Sequence, residues 1–486
     1  MSFFSVQYIL FFLIVFVVYN AVPCRLKEYI LLAASIVFYA CFDLKYTLVL
    51  MAVISISFLV GNRIQGDRQK CRWILFGGII FLLAILMYFK FWNYFLLATI
   101  RLFGMSDLAS AGAAAIIAPI GISFFTLEAI GYMVDVYRGT ISAEKDFFKY
   151  ALYVSFFPKV MSGPIERSTN LLKQIHDGVQ FNYEKVRHGF LLILWGSFIK
   201  LLIANRLAVI VDAAFAGYQD QTGFTLLIAI IIYGIQLYVD FSGYSNMVIG
   251  MAAVFGYDLV ENFRQPYFSQ NIKEFWQRWH ISLSSWLRDY VYIPLGGSKK
   301  GTLRRYVNLV ITFLVSGIWH GTGLHFVVWG LVHGVYQICA VAIGELSRTR
   351  IGLMKGEERF SNRFIKSAII FALVDFAWLF FRADSVGSAL EIINKIVLHP
   401  EVGRTIYENL IFAGVEIKKG GMLCVELLLL FVVDICHEKQ MRVSDWIDKQ
   451  DKWFRWGIYV SMAICIIIGL IRDYGIDAST FIYANF

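Results

Sequence analysis

The chain has 486 residues, of which 58% are hydrophobic and only 16% are charged, and its formal net charge at pH 7 is +9. Apolar runs recur along it, and a helix needs about 20 apolar residues to cross a bilayer's hydrocarbon core. This composition excludes an ordinary soluble domain and predicts a polytopic helical protein of the cytoplasmic membrane, surrounded by lipid. In such proteins an excess of positive charge is typical of cytoplasmic loops, so we expect no nucleic-acid partner.

The seven cysteines give no sign of a metal centre or a disulfide framework. They form no CxxC pair and show no His/Cys ligand spacing, so we expect packing roles, no metal site and no bound cofactor. The first apolar run, residues 3–22, has no basic segment before it and no small-residue cleavage site after it. It predicts a retained helix rather than a signal peptide.

The apolar runs predict the transmembrane segments. In chain order they are 3–22, a hairpin of 29–42 and 46–61, 73–103, 112–137, 148–162, 189–215, 224–255, two parts of 307–345, 364–382, 421–436 and 456–472. The basic clusters between them lie at 25–27, 63–72, 299–305, 348–366 and 439–455. Placing all of these clusters in the cytoplasm puts both the N-terminus and the C-terminus outside.

No internal repeat and no low-complexity linker divides the chain. We therefore expect one domain over 1–486, with a core at 119–345 and a tail motif at 480–486. Many secondary transporters are built from repeated halves, so the absence of a repeat in the sequence disfavours that class.

Four of the eight histidines fall in one stretch, residues 271–333, and they are His280, His320, His325 and His333. An ionisable residue inside a membrane is by default a hypothesis about function. His325 and His333 lie on a predicted helix with Gly330 and Gly334, where small residues permit close helix packing. We expect these two histidines to pack with a hydrogen bond rather than to catalyse.

His320 is expected within the membrane. The run from Tyr306 to Trp319 has about 14 residues, which as a helix reach roughly 20 Å against a hydrocarbon core of about 30 Å. The following Gly321-Thr322-Gly323 is expected to break the helix, and irregular backbone at membrane depth is tolerated where protein buries it or water lines it. A cavity beside His320 follows. The alternative is a structural histidine bonded to a neighbouring carbonyl.

The segment 271–288 predicts one amphipathic helix. One side carries a mostly aromatic stripe at helical spacing, formed by Phe275, Trp279, Ser282 and Trp286. Another side carries His280, Ser284 and Arg288, with Arg278 and Asp289 nearby. Such a face could hold an anionic or polar group of a substrate. Tryptophans among basic residues are also typical of a helix at the membrane interface, and that interpretation stays open.

Three carboxylates lie inside apolar runs. Glu128, Asp135 and Asp240 are each expected to pair with an arginine such as Arg138 or Arg288, because a buried charge needs a partner. A donor-side entrance is expected near the charged residues Lys159, Glu166 and Arg167.

Several long motifs resemble one family. WQRWHISLSSWLRDYVYIPLGG followed by SGIWHG resembles the membrane-bound O-acyltransferase (MBOAT) family, in its bacterial branch of alginate O-acetyltransferase and teichoic-acid D-alanyl transfer subunits. The stretches 119–139, 156–167, 238–267 and 378–385 agree, in order along nearly the whole chain. The resemblance implies an all-α MBOAT fold. It would have roughly 11 transmembrane helices, each long enough to cross the bilayer, plus re-entrant and amphipathic helices around a central funnel.

The resemblance also implies which residues carry the chemistry. His320 matches the family's catalytic histidine and His280 its second characteristic histidine. Acyl transfer from a thioester to a hydroxyl needs a base, and a neutral imidazole, which burial favours, is the usual one. One departure is Asn246, where the alginate-type pattern more often has Asp. Neither an HxxxxD motif nor a GxSxG elbow is present.

The tail TFIYANF, residues 480–486, resembles a C-terminal motif of this branch or of its small partner proteins. The resemblance implies that Tyr483 carries the acyl group transiently, while the alternative is an interfacial aromatic anchor. It further implies acetyl-CoA or another acyl thioester, such as an acyl carrier protein, as donor. The acyl group would reach an extracellular polysaccharide through a separate SGNH-type partner.

The favoured function is therefore a membrane O-acyltransferase that exports an acyl group, most simply acetyl. D-alanyl transfer to teichoic acid would require an acidic carrier protein docking on the basic loop 299–305. A polymer or lipid transporter would use the histidines as a proton relay. A scaffold subunit would have no activity of its own.

Overall fold

The computed structural model describes residues 3–64, 68–102, 116–350, 359–401 and 417–472. Within these ranges all regular secondary structure is helical, which confirms the predicted all-α class. The tail 480–486, with Tyr483, lies outside the described residues.

The α-helices are α1 Val6–Ala21, α2 Cys24–Ala40, α3 Leu44–Arg63, α4 Arg68–Leu102, α5 Ile122–Arg138, α6 Phe147–Ser155, α7 Lys173–Asp177, α8 Tyr183–Phe198, α9 Asn205–Ala216, α10 Gly223–Val254, α11 Ile272–Arg278, α12 Ile281–Leu287, α13 Thr302–His320, α14 Leu324–Arg350, α15 Phe360–Arg382, α16 Val386–Leu398, α17 Ile417–Glu438, α18 Val443–Asp448 and α19 Lys452–Arg472. Three π-helical turns, Ser168–Leu172, Ile199–Ala204 and Arg288–Tyr292, and one 3-10 turn, Pro266–Phe268, join them.

Six helical segments in the described part of the chain are long and apolar enough to cross a membrane, by length and composition: Leu44–Arg63, Cys71–Leu96, Gly223–Val254, Leu324–Gly344, Phe360–Arg382 and Lys452–Ile471. Helix α1, at 16 residues, is apolar but shorter. These segments confirm a polytopic membrane protein. The total of roughly eleven spans stays a prediction.

One predicted span is wrong in length. Residues 148–162 were expected to form a single crossing helix, yet α6 ends at Ser155. Phe156, the residue after the helix, already lies outside the helical region with φ −48° and ψ 111°. Pro158 follows, and it disfavours the helical conformation at Phe157, the residue before it. The chain continues through buried turns instead of a helix.

The described residues fall into two compact units. One contains the residues up to Phe190 together with Val248–Val260, and the other contains Leu191–Met247 and the residues from Glu261 onward. The second unit holds His280 and His320. The single domain over 1–486 stays a prediction.

Within the second unit, α13 and α14 form a closely packed pair. A Cβ added at Gly317 would lie 2.3 Å from the Phe326 carbonyl oxygen, and one at Gly330 would lie 2.4 Å from that of Phe313. Only glycine allows the two backbones to approach this closely, as small residues do in membrane helix pairs. The pair therefore holds the residues at its turn, including His320, in a fixed place.

Candidate active site

The first part of the site is the helix break at His280. The predicted continuous amphipathic helix over 271–288 is wrong, because α11 ends at Arg278 and α12 begins at Ile281. His280 has φ 43° and ψ 55°, in the left-handed region. A residue other than glycine is strained there, and such strain clusters at functional sites.

Asn262 holds the turn at His280 in place. Its backbone oxygen accepts a hydrogen bond from the Ile281 N–H at 3.0 Å, and its side-chain oxygen accepts one from the Ser282 N–H at 3.2 Å. These two N–H groups belong to the first turn of α12, which has no intrahelical partners for them. One asparagine therefore caps the helix and fixes the strained residue before it.

The imidazole of His280 is buried, with 1% of its surface exposed. Its ring stands perpendicular to that of Phe241, with the ring centres 4.6 Å apart. Burial lowers the pKa of His280 from 6.5 to about 3. His280 is therefore uncharged at neutral pH, and it can orient a polar group but cannot bind an anion by charge.

The second part of the site is the turn at His320. Helix α13 ends at this residue, Gly321 is extended with φ −172°, and α14 begins at Leu324. The predicted break after His320 is confirmed. Residues 321–323 are half-exposed, so the ring lies directly beside an accessible turn.

The predicted short helix before His320 is wrong. Helix α13 begins at Thr302 and has 19 residues, which reach about 28 Å, close to the thickness of the hydrocarbon core. Arg304 and Arg305 are good helix formers, so the helix extends well before the apolar run. The length argument for His320 at mid-membrane therefore does not hold, and the cavity beside it stays a prediction.

Aromatic rings enclose His320, which is 3% exposed. Its ring centre lies 4.9 Å from Trp319, 5.0 Å from Trp329 and 5.1 Å from Phe381, all at interplanar angles of 75° or more. The Trp319 ring is also 6.3 Å from His280. The structure thus brings the two predicted histidines into one cluster, with an indole beside both.

Arg288 and Asp289, two of the residues predicted to support substrate binding, pair with each other. Arg288 is 63% exposed and pairs with Asp289, Nε to Oδ1 at 2.7 Å. The predicted shared face of His280 and Arg288 is wrong, since His280 is buried at the break before α12 whereas Arg288, directly after α12, is exposed. The substrate role of Arg288 and Asp289 stays a prediction.

Two other predicted residues shape the turn at His280. The Ser284 hydroxyl donates to the Trp279 carbonyl at 3.1 Å, and its backbone N–H donates to the His280 carbonyl at 2.9 Å. Arg278 pairs with Glu274 at 2.6 Å and with Glu438. These contacts fix the backbone on both sides of the break.

Asp240 and Glu128 each pair with a lysine, where an arginine was expected. Asp240 forms an ion pair with Lys200, and Glu128 forms one with Lys159. All four side chains are at least nine-tenths buried. Lys200 lies in the π-helical turn Ile199–Ala204. The sequence signal for it was a lysine inside the predicted span 189–215, which calls for a partner.

Two of the three charged residues expected at the donor-side entrance are buried, and the third, Arg167, is half-buried. Lys159 and Glu166 are 3% and 1% exposed. The Glu166 carboxylate accepts hydrogen bonds from the Val260 N–H at 2.6 Å and the Asn170 side chain at 2.7 Å, and burial raises its pKa. Asp135 accepts from the Ser168 hydroxyl at 3.1 Å. These contacts tie the buried groups to neighbouring segments, and the donor-side entrance stays a prediction.

Comparison with known proteins places the chain in a family. A sequence profile of the MBOAT, membrane-bound O-acyltransferase family matches residues 140–372. A probable alginate O-acetylase AlgI of Pseudomonas putida is 39% identical over 370 aligned residues, covering 74% of this chain and 73% of the relative. A peptidoglycan O-acetyltransferase of Helicobacter pylori is 30% identical over 507 positions, covering 94% of this chain and 91% of the relative.

A more distant match is the teichoic acid D-alanyltransferase of Bacillus subtilis, 28% identical over 238 residues, or 45% of this chain and 58% of the relative. The family match, the two O-acetyl-transferring relatives and the apolar helices agree. The chain belongs to the membrane-bound O-acyltransferase family and is a membrane O-acyltransferase.

Proposed function

We propose that this O-acyltransferase takes an acetyl group from a cytoplasmic thioester, acetyl-CoA or a close equivalent, and delivers it for O-acylation of an extracellular polysaccharide. The relatives that match most of the chain are named for O-acetylation of alginate or peptidoglycan, both of them glycans. The single observation that carries the mechanism is the imidazole of His320, enclosed by three aromatic rings at a half-exposed helix break.

His320 acts as the general base. Its neutral imidazole accepts the proton of the attacking hydroxyl while the hydroxyl oxygen bonds to the thioester carbonyl carbon. The carbon–sulfur bond then breaks, and the imidazolium returns its proton to the leaving thiolate. No net proton is gained or lost. The rings of Trp319, Trp329 and Phe381 keep bulk water away, which protects the thioester from hydrolysis.

His280 is the second histidine of this site. It is neutral because its burial lowers its pKa to about 3, so it offers one hydrogen-bond donor and one acceptor. Its ring lies 6.3 Å from that of Trp319, which also contacts His320, and in this proposal it orients a polar group of a substrate. The strained backbone at His280 keeps that imidazole in one direction.

The acyl group passes through a carrier before it reaches the glycan. In this proposal the phenol of Tyr483, in the tail 480–486, accepts the acetyl group at His320 and then gives it to an extracytoplasmic SGNH-type partner. The partner transfers it to a polysaccharide hydroxyl.

D-alanyl transfer is the second candidate, and one surface favours it. Lys299, Lys300 and Arg304 are exposed at the start of α13. A cluster of this sign would attract an acidic carrier protein bearing the D-alanyl thioester. Under this alternative, membranes would accept label from a carrier-protein thioester and not from acetyl-CoA.

The test uses cells that produce wild type, His320→Ala, Tyr483→Phe or His399→Ala at equal levels in the membrane. Ester-linked acetate is released from their surface glycans by mild base and quantified. We expect loss in the first two variants and normal acetate in His399→Ala, because His399 is exposed at the end of α16. Normal acetate in His320→Ala contradicts the proposed mechanism, and normal acetate in Tyr483→Phe contradicts the carrier.

A further inference from the structure

His333 is a histidine that the proposed reaction does not use. It lies on α14, its side chain is completely buried, and aromatic rings surround it. Its ring centre is 5.0 Å from both Trp276 and Trp329, 6.0 Å from Trp378 and 6.1 Å from Phe313. A phenylalanine would fill such a place without any polar atom, so the imidazole calls for an explanation.

The expected hydrogen bond of His333 is not found. Among the described residues, neither of its ring nitrogens has a hydrogen-bond partner, and neither do the indole nitrogens of Trp276, Trp329 and Trp378. Leaving a buried polar group without a partner costs free energy. Something other than a conventional hydrogen bond therefore offsets the burial of this imidazole.

Ring geometry supplies that compensation. The imidazole stands at 85° to Trp276 and at 71° to Trp329. In an edge-to-face contact the positive edge of one ring meets the negative face of another, and an N–H on that edge strengthens the contact. This T-shaped geometry allows an imidazole N–H of His333 to meet an indole face, a contact that a phenylalanine would make more weakly.

Trp329 connects this histidine to the proposed base. The same indole lies 5.0 Å from His333 and 5.0 Å from His320, at 87° to the latter ring. Its backbone is held by the close approach of Gly330 to the Phe313 carbonyl. With the backbone fixed, the rings packed around the indole set its orientation.

We infer that His333 is a positioning residue, which orients the Trp329 indole and through it the imidazole of His320. This role rests on the proposed function, because it assumes that His320 is the base. A positioning role differs from simple packing in two ways. It depends on the N–H edge of the His333 ring, and its effect on His320 passes through the Trp329 side chain.

The test is a double-variant cycle on purified protein in lipid nanodiscs, with the rate of acetyl transfer from labelled acetyl-CoA measured across donor concentrations. His333→Phe keeps an aromatic ring but loses the N–H. We expect its maximal rate to fall between about 10-fold and 100-fold, as for a misplaced catalytic group, with an unchanged half-saturating acetyl-CoA concentration. His333→Gln retains an N–H donor and should lie closer to wild type. His176→Phe, at a side chain 64% exposed, should equal wild type.

The decisive comparison is with Trp329→Phe. If His333 acts through Trp329, the double variant loses no more than Trp329→Phe alone, whereas independent effects multiply. Multiplied losses, or full activity in His333→Phe, overturn the inference. Equal losses of rate in His333→Phe and His333→Gln also overturn it, since the N–H donor would then make no difference. His320→Ala is measured beside the His333 and Trp329 variants, and activity in it would instead contradict the proposed function.

Discussion

Two sets of buried polar side chains in this protein are accommodated in different ways. Lys200 with Asp240, and Lys159 with Glu128, are charges that neutralise each other as ion pairs. His280 and His320 are packed against the faces and edges of aromatic rings. A buried charge without its partner is strongly unfavourable, so the paired residues are committed to structure. A neutral imidazole among rings needs no partner of opposite charge, so it stays available to accept a proton.

This contrast predicts that substitutions in the histidine cluster reduce the rate of transfer, whereas substitutions in the ion pairs reduce stability. The largest expected effect is at His320. His320→Gln should lower acetyl transfer from acetyl-CoA by about 10² to 10⁴-fold, the usual contribution of a general base. The melting temperature of the purified protein should remain near that of wild type. A large loss of stability in this variant would contradict the division between the two sets.

The next largest effect is at Lys200. Lys200→Met removes the positive charge beside the buried Asp240 carboxylate, which should lower the free energy of unfolding by about 3 to 5 kcal/mol. Adding Asp240→Leu to the same protein should recover most of this loss, since no charge is then left alone. Unfolding by SDS titration in mixed micelles measures both variants. Equal stability of wild type and Lys200→Met would show that the pair is not structural.

The third effect concerns pH. Burial lowers the pKa of His280 from 6.5 to about 3, so the unfolded chain binds a proton at this residue between those values and the folded chain does not. Stability from this group is therefore complete above pH 6.5 and falls as the pH is lowered. The loss at pH 5 should be about 2 kcal/mol.

Unfolding free energies at pH 7 and pH 5 test this, with His280→Gln as the matched variant. The variant should lose about 2 kcal/mol less than wild type over the same interval, because other titrating groups contribute equally to both proteins. Identical pH dependence in the two proteins would mean that His280 is not held in its neutral form.

The smallest effect is at Arg288. Its ion pair with Asp289 is solvent-exposed on the arginine side, and such pairs contribute about 0 to 1 kcal/mol. Arg288→Ala should therefore change neither the melting temperature nor the rate of transfer to a marked degree. A large loss of transfer in this variant would instead support the predicted substrate-binding role of Arg288.

The helix class and the six long apolar helices were predictable because long apolar runs have few alternatives in a bilayer. The break after His320 was also predictable, since Gly321 and Gly323 disfavour a continuous helix. The break at His280 was not. The sequence around it is helical in period, and the left-handed turn depends on Asn262, which is distant along the chain.

The ion-pair partner of Asp240 could not be predicted from the sequence either. The pairing of Asp240 with Lys200 depends on the approach of two helices, where a Cβ at Gly243 would lie 3.2 Å from the Lys200 side chain. The true start of α13 was missed because Arg304 and Arg305 bound the apolar run at its N-terminal side, whereas the helix begins before them, at Thr302. Apolar patterning thus locates membrane segments better than it locates helix ends.

The most direct test of the central claim is the pH dependence of acetyl transfer at saturating acetyl-CoA, compared between wild type and His320→Gln. A general base must be unprotonated, so the wild-type rate should fall as the pH is lowered. The residual rate of His320→Gln should lack that fall. If the rate of His320→Gln falls in the same way at low pH, the group that must be unprotonated for the reaction is not His320, and the account is contradicted.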